Sequence, residues 1–244
     1  LQQQLARLTE LRALEAPDVA QSIERLRLQA MLEPERDHLP EVAAFNAATP
    51  DQAPTVYLEG SLRLDRDDES GLALLERAMQ LDGDAIKPGC ERAHAFLVRR
   101  GAEGQERARA YAQRWQERHA WELTREQQLR NFDRRHELRA PDELSEAAWR
   151  SVRNLVEANS KGIARAWLAR RVLPADPQVA TYVLCVQLTR WARFRSRGPQ
   201  IVDRLAGLEW PMHAFMVSLE GENKSLRRVV KALPASATVF PPPR

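Results

Sequence analysis

The histidines and cysteines are the residues of this sequence that could bind a metal or act as nucleophiles. A zinc protease needs two histidines four positions apart on one helix face, with a glutamate between them as general base. No two of the five histidines have that spacing; they are His38, His94, His119, His136 and His213. Cys90 and Cys185 lie in an apolar helical pattern and an apolar strand pattern, which is typical of buried, inert thiols. The sequence therefore predicts no catalytic residue, no metal ligand and no cofactor in this chain.

The glycine and serine patterns of familiar catalytic and phosphate-binding loops do not occur either. The chain has no GxSxG, no GxGxxG and no GxxxxGK[ST]. A hydrolase whose site is assembled from residues far apart in the chain stays open as one alternative, because such a site leaves no local motif.

An arginine-rich segment with two aromatic residues is the strongest candidate for a binding surface. Residues 190–197 read Arg-Trp-Ala-Arg-Phe-Arg-Ser-Arg, so cations that could contact phosphates alternate with Trp191 and Phe194, which could stack on bases. Lys224 is added because it lies where a predicted strand leads into a predicted helix, whose free N–H groups could accept an anion. The candidate residues for binding nucleic acid or anions are Arg190, Arg193, Arg195, Arg197 and Lys224. The alternatives are a solvated loop or helix start at the first segment and a plain turn at the second.

Composition and charge exclude several classes of protein. The chain has 244 residues, of which 43% are hydrophobic and 29% charged, as in an ordinary globular protein. Two cysteines are too few for a disulfide scaffold or a four-thiolate zinc site. The longest uncharged apolar run, Thr181–Leu188, is far shorter than the roughly 20 residues of a membrane span. The net charge of +3 is unevenly divided, since residues 161–244 hold 14 Lys and Arg against 5 Asp and Glu, whereas residues 1–160 are acidic.

The first part of the chain, up to about residue 159, has the apolar spacing of successive helices. Two helix pairs are predicted, at 54–65 with 69–81 and at 88–100 with 103–119. They begin 34 residues apart, at Pro54 and Pro88, which is the period of a tetratricopeptide (TPR) repeat. The small residues Gly60 and Ala93 would let paired helices approach closely. Residues 121–138 are predicted as a solvated connecting helix and 143–159 as a further helix.

After Gly162 the apolar period changes from helical to alternating, which indicates strands. Strands are predicted at 163–172, 181–188, 213–219 and 237–240, with helices at 199–208 and after Gly221. Together with the helix at 143–159 this gives the order α-β-β-α-β-α-β. The sequence therefore predicts an α+β protein. All-α TPR-like helical hairpins occupy residues 1–140, and a small α+β domain occupies residues 141–244.

Five short segments of the sequence are similar to a known family. They are Asp67–Met79, Asp82–Ala85, Phe96-Leu97, Arg165–Leu168 and Leu219–Lys224, within about residues 54–233. These segments resemble the C-terminal extension that follows the catalytic domain of bacterial, membrane-linked zinc metallopeptidases of the HtpX-like class. The HExxH motif that defines those enzymes does not occur here, so the resemblance transfers no catalytic residue and implies that any zinc lies in an upstream domain. The start at Leu1, inside a predicted helix, is what we expect of a fragment of such a protein.

These patterns favour a non-catalytic module for protein interaction, the C-terminal part of a peptidase-like protein that organises partners or substrates. Its concave helical face would hold an extended peptide or the neighbouring catalytic domain, although the helix pairs could also be only a spacer. We place the candidate partner-binding residues on that face, at Tyr57, Ser61, Arg92 and Arg99. The alternatives are a protein that binds nucleic acid or anions through its basic C-terminal domain, and the dispersed hydrolase. A soluble domain of the cytoplasm or periplasm is expected, without a transmembrane segment.

Overall fold

The computed structural model describes residues 1–241 and divides the chain into two compact units, of which the first is Leu1–Ala120 and the second begins at Trp121. Helices alone form the first unit, and the second combines helices with a five-stranded sheet, which confirms the predicted α+β class. The boundary falls earlier than the predicted 140/141 division. Residues 121–140 belong with the second unit because they end in a strand, β1 (Leu138–Arg139), that pairs with its sheet.

Seven helices build the first unit. They are α1 (Gln2–Arg12), α2 (Val19–Leu32), α3 (Leu39–Ala48), α4 (Ala53–Asp65), α5 (Gly71–Leu81), α6 (Ile86–Arg99) and the first part of α7 (Ala102–Arg130). The predicted helix pairs are present, and consecutive helices from α3 to α6 pack on one another. The separate helix expected at 121–138 is instead the end of α7. No glycine or proline interrupts the sequence between Glu106 and Arg130, so one 29-residue helix forms.

The α4–α5 pair is held at backbone contact. A β-carbon built on Gly71 would lie 2.4 Å from the carbonyl oxygen of Gly60, and one built on Gly60 would lie 2.9 Å from the carbonyl oxygen of Gly71. The two helices can approach this closely because neither position carries a side chain. The core of the unit lies beneath this contact and includes Leu64, Leu75 and Phe96, each at most 1% exposed.

The second unit follows the predicted order α-β-β-α-β-α-β, with β1 and one short helix added. Its elements after β1 are α8 (Glu146–Ala158), β2 (Ile163–Arg171), β3 (Thr181–Leu188), α9 (Arg190–Phe194), α10 (Gly198–Ala206), β4 (Ala214–Ser218), α11 (Leu226–Ala232) and β5 (Thr238–Phe240). The strand order is β1-β2-β3-β4, and β5 also pairs with β2. Strand β2 is antiparallel to β1, β3 and β5, whereas β3 and β4 are parallel.

Both faces of this sheet are covered. Val152 of α8 and Leu205 of α10 pack with Leu184 on one face, and Leu226 of α11 packs with Cys185 on the other. Because β3 and β4 are parallel, both end at the same edge of the sheet. The segments that follow them, α9 and a 3-10 turn at Gly221–Ser225, are therefore neighbours. None of the helices within residues 1–241 is long and apolar enough to cross a membrane.

Candidate functional site

A groove of about 830 Å³ opens on the first unit between α2, α4 and the start of α6. Its floor is mostly apolar. The apolar side chains that line it include Leu28, Met31, Pro54, Tyr57, Leu58 and Leu62. Met31 is 52% exposed although it is large and apolar. The folded unit therefore leaves apolar surface uncovered inside a concavity, which is the usual character of a ligand-binding or partner-binding site.

The structure brings three of the four predicted partner-binding residues together. Tyr57 and Ser61 line the groove from α4. Arg92 donates from Nη2 to the carbonyl oxygen of Ser61 at 3.4 Å and pairs with Asp65, which also lines the groove. Arg99 does not line the groove; it is exposed at the end of α6, with its guanidinium 6.0 Å from the Phe96 ring centroid. Arg99 lies two helical turns after Arg92, whereas the groove touches only the beginning of α6.

The α2 side of the groove was not predicted. Glu24, Leu28 and Met31 lie four and three positions apart, so they project from one face of α2 and line the groove together. The spacing of Glu24, Leu28 and Met31 could have indicated this surface. An apolar residue that lies one or two helical turns from a charged residue on the same face is at the margin of an apolar stripe rather than at its centre.

Carboxylates surround the apolar floor. Glu24, Asp65, Asp82 and Asp84 line the groove, together with the guanidinium of Arg27. A hydrogen bond from Arg7 lowers the pKa of Glu24, with the two side chains 2.8 Å apart. Asp84 lies 3.2 Å from Arg118, yet its side chain remains 90% exposed. Arginines therefore offset the charges of Glu24 and Asp65, and the exposed carboxylates of Asp82 and Asp84 place negative charge at the end of the groove beside α6.

A hydrogen-bonded network fixes α4 below the groove. The carboxylate of Glu59 is only 7% exposed and accepts from Asn46 Nδ2 at 2.8 Å and from Arg63 Nη2 at 2.8 Å. Thr55 Oγ1 donates to Asn46 Oδ1 at 2.6 Å and so joins α3 to α4. The buried charge is therefore fully partnered, which makes the groove wall a rigid element rather than a mobile one.

The arginine-rich segment forms α9 and its C-terminal turn. Trp191 and Phe194 are 60% and 83% exposed, and their rings stack with centroids 6.3 Å apart and planes 23° from parallel. All four predicted arginines are exposed; they are Arg190, Arg193, Arg195 and Arg197. The guanidinium of Arg195 lies 4.2 Å from the Trp191 ring centroid. The segment thus has the exposed cations and aromatic rings that the sequence pattern predicts.

Lys224 is exposed on the 3-10 turn that follows β4. As expected, residues Gly221–Ser225 lead into a helix; they form the 3-10 turn, and α11 begins at Leu226 and has only seven residues. We therefore assign no anion site to the helix terminus. Lys224 lies four residues after Glu220, whose carboxylate is 3.9 Å from Arg193, and this contact is what joins its turn to the basic surface.

The remaining candidates for chemistry provide no assembled site. Within residues 1–241, no three His, Cys, Asp or Glu side chains group in a way that could hold a metal ion. A pocket of about 210 Å³ adjoins Cys90, His94 and Tyr111, but burial raises the pKa of the Cys90 thiol and keeps it protonated at neutral pH. Burial likewise raises the pKa of Cys185 to about 12. Both cysteines are buried free thiols, as predicted.

Comparison with known proteins gives no match to a family model, to a curated protein or to a solved structure. The resemblance to the extension of zinc metallopeptidases stays a prediction. Conclusions about function rest on the groove of the first unit and on the basic surface of the second.

Proposed function

We propose that this chain is a non-catalytic interaction module whose first unit binds a segment of a partner protein in the α2–α4–α6 groove. One observation carries the proposal: a concavity of about 830 Å³ with an apolar floor that the chain itself leaves open. A peptide that buries Met31 and its neighbours removes this apolar surface from water, which favours binding by roughly 25 cal/mol per Å².

The charge around the groove defines the partner's chemistry. Asp82 and Asp84, at the α6 end of the groove, favour a segment that carries Lys or Arg there, and Leu28, Met31 and Leu62 favour large apolar side chains beside it. Rim charges act mainly on the rate of association and on selectivity, whereas the apolar anchors supply most of the affinity. We infer an apolar segment with flanking basic residues as the ligand.

The groove is formed before the partner arrives. The glycine contact between α4 and α5 and the Glu59 network hold its walls, so binding does not have to order them. Stacked helix pairs that present a fixed concave face are the usual design of TPR-like scaffolds. The similarity to the non-catalytic extension of zinc metallopeptidases supports the same proposal, in which an upstream catalytic domain would supply the chemistry.

Selection of peptides on the full chain tests this proposal. A phage-displayed library of random peptides is selected on immobilised protein, and selected sequences are measured by fluorescence anisotropy. We expect selected peptides to combine apolar and basic residues. Met31→Glu should weaken their binding about tenfold or more, since it places a charge on the apolar floor and opposes a buried contact worth about 1.5–3 kcal/mol.

Val98→Glu is the matched control. Val98 is 53% exposed, nearly the same as Met31 at 52%, but it does not line the groove. This variant should bind the selected peptides within about twofold of the native chain. Equal losses in both variants, or selection of acidic peptides, would contradict the proposal.

A further inference from the structure

The aromatic pair on α9 lies at the surface of the second unit and outside its core clusters. Phe194 is 83% exposed and Trp191 60%, so their rings contribute little to the core, which α9 reaches only through Ala192. An apolar ring left in water costs free energy unless something covers it. The unit therefore holds two large rings at its surface, side by side and nearly parallel.

The platform that carries these rings is rigid despite its short length. Thr189 Oγ1 accepts from the amide of Ala192 at 3.2 Å and caps the start of α9. At the other end Ser196 adopts the left-handed conformation, with φ 50°. The amide of Arg197 donates a hydrogen bond to the carbonyl oxygen of Ala192 at 3.0 Å, which closes the end of the helix. Both caps hold the backbone of α9, so a ligand that stacks on the rings does not have to order the helix.

The charge on this surface is mostly uncompensated. Within residues 1–241 no carboxylate lies within ion-pair distance of Arg190, Arg195 or Arg197. Arg193 lies 3.9 Å from Glu220, but that carboxylate is shared with Arg227. Such a cluster repels itself and is complemented by a polyanion.

We propose that the α9 surface (residues 190–197, extended by Lys224) binds single-stranded nucleic acid. Bases would stack on the Trp191–Phe194 pair, and the unpaired arginines would contact consecutive phosphates. The arrangement favours a single strand over a duplex, because paired bases have no open faces for these rings. It also favours a strand over a membrane surface, since a five-residue helix with two rings buries far less apolar area than an interfacial amphipathic helix. This proposal is independent of the groove in the first unit.

Anisotropy of labelled oligonucleotides tests the proposal with the full chain. The probes are oligo-U and oligo-dT of about 15 nucleotides, comparable with the footprint of a single-strand-binding domain, and a blunt duplex of the same length. We expect tighter binding of the single strands. Phe194→Ala should weaken that binding about five- to 150-fold, as loss of stacking on one base does, and Phe194→Tyr should restore it.

The phosphate contacts have a separate signature. The double variant Arg190→Gln/Arg197→Gln should reduce the slope of log K against log salt by about 1.4, because each phosphate contact to a single strand contributes about 0.7. The matched controls are Arg150→Gln, at a side chain 71% exposed on α8, and Leu123→Ala, at an apolar residue 53% exposed on α7. Both should leave the affinity and the slope unchanged.

Three results would overturn the proposal. The first is no saturable binding of any oligonucleotide at about 50 mM salt, where phosphate contacts are strong. The second is binding that depends on the arginines but is unaffected by Phe194→Ala, since that is a nonspecific polyelectrolyte effect. The third is Phe194-dependent binding to equimolar phosphatidylcholine–phosphatidylglycerol vesicles without binding to oligonucleotides, which would identify a membrane surface as the partner. Phe194→Ala removes no core contact, so the variant is expected to have the same unfolding temperature as the native chain.

Discussion

Replacing Gly71 with alanine should separate α4 from α5 and destabilise the first unit. The added β-carbon would lie 2.4 Å from the carbonyl oxygen of Gly60 and 2.9 Å from Cγ of Leu64. The oxygen belongs to the backbone of α4 and cannot rotate away. To reach ordinary van der Waals contact the helices must therefore shift by roughly 1 Å.

Two opposing effects set the size of this change. Alanine is favoured over glycine in a helix by up to about 1 kcal/mol. Overpacking a tight contact costs about 1–3 kcal/mol, and a gap of about 1 Å between the helices also forfeits up to half of each dispersion contact across it. We expect a net loss of about 1–2 kcal/mol in the free energy of unfolding.

Urea denaturation followed by far-UV circular dichroism measures this loss, and hydrogen exchange in α4 and α5 locates it. Gly207→Ala is the control, because a β-carbon at Gly207 meets only ordinary contacts, at 3.5 Å from the carbonyl oxygen of Asp203. That variant should be neutral or slightly stabilising. If Gly71→Ala is as stable as the native chain, the backbone contact that holds the groove wall does not exist.

Substitutions at three further residues test the buried polar groups. Glu59→Ala should cost about 1–3 kcal/mol in urea denaturation, because it removes the largely buried carboxylate that accepts from Asn46 and Arg63. Arg171 is fully buried, with its guanidinium 2.7 Å from the Asn131 carbonyl oxygen and 4.5 Å from the Phe215 ring centroid. Arg171→Met should therefore stay within about 1 kcal/mol of the native chain by thermal unfolding, whereas Arg171→Ala loses about 2–5 kcal/mol through its cavity. Burial and the charge of Arg171 lower the pKa of His136 below its ordinary 6.5. The unfolded chain then binds more protons just below pH 6.5, so stability should fall as pH drops through that window. His136→Gln should remove that part of the pH dependence, and an NMR titration of the His136 ring that gives an ordinary pKa would contradict the assignment.

Periodicity was sufficient to predict most of the elements. The apolar spacing placed α4, α5 and α6 within a few residues of their observed bounds, and the change to alternation at Gly162 marked the start of β2. In α4, α5 and α6 one face is buried, so the spacing of apolar residues records which face lies inside. The order of strands and helices in the second unit followed from the same signal.

The incorrect predictions of element bounds lie in segments where the apolar residues have no regular spacing. The residues of α7 after Ala120 are charged on most sides, so nothing in their pattern indicates that the helix ends at Arg130. Strand β1 has only two residues, which is too short for any alternation to show. Its pairing with β2 nevertheless joins residues 121–140 to the second unit, and this long-range contact moved the domain boundary.

The groove was predicted only in part for a related reason. Tyr57 and Ser61 could be placed on it because the hairpin that carries them is local in sequence. Met31 could not, because which face of α2 stays open depends on how α2 packs against α4, a contact between helices far apart in the chain. Arg99 was placed on the concave face without knowledge of where the groove ends.

Methionine-methyl NMR tests the central proposal most directly. The chain has four methionines, Met31, Met79, Met212 and Met216, and only Met31 lines the groove. On addition of a peptide selected by the full chain, we predict that the Met31 methyl signal shifts in proportion to bound peptide. The signals of Met212 and Met216 in the second unit should not move. A Met31 signal that is unchanged at saturation, or shifts confined to Met212 and Met216, would contradict a partner-binding groove in the first unit.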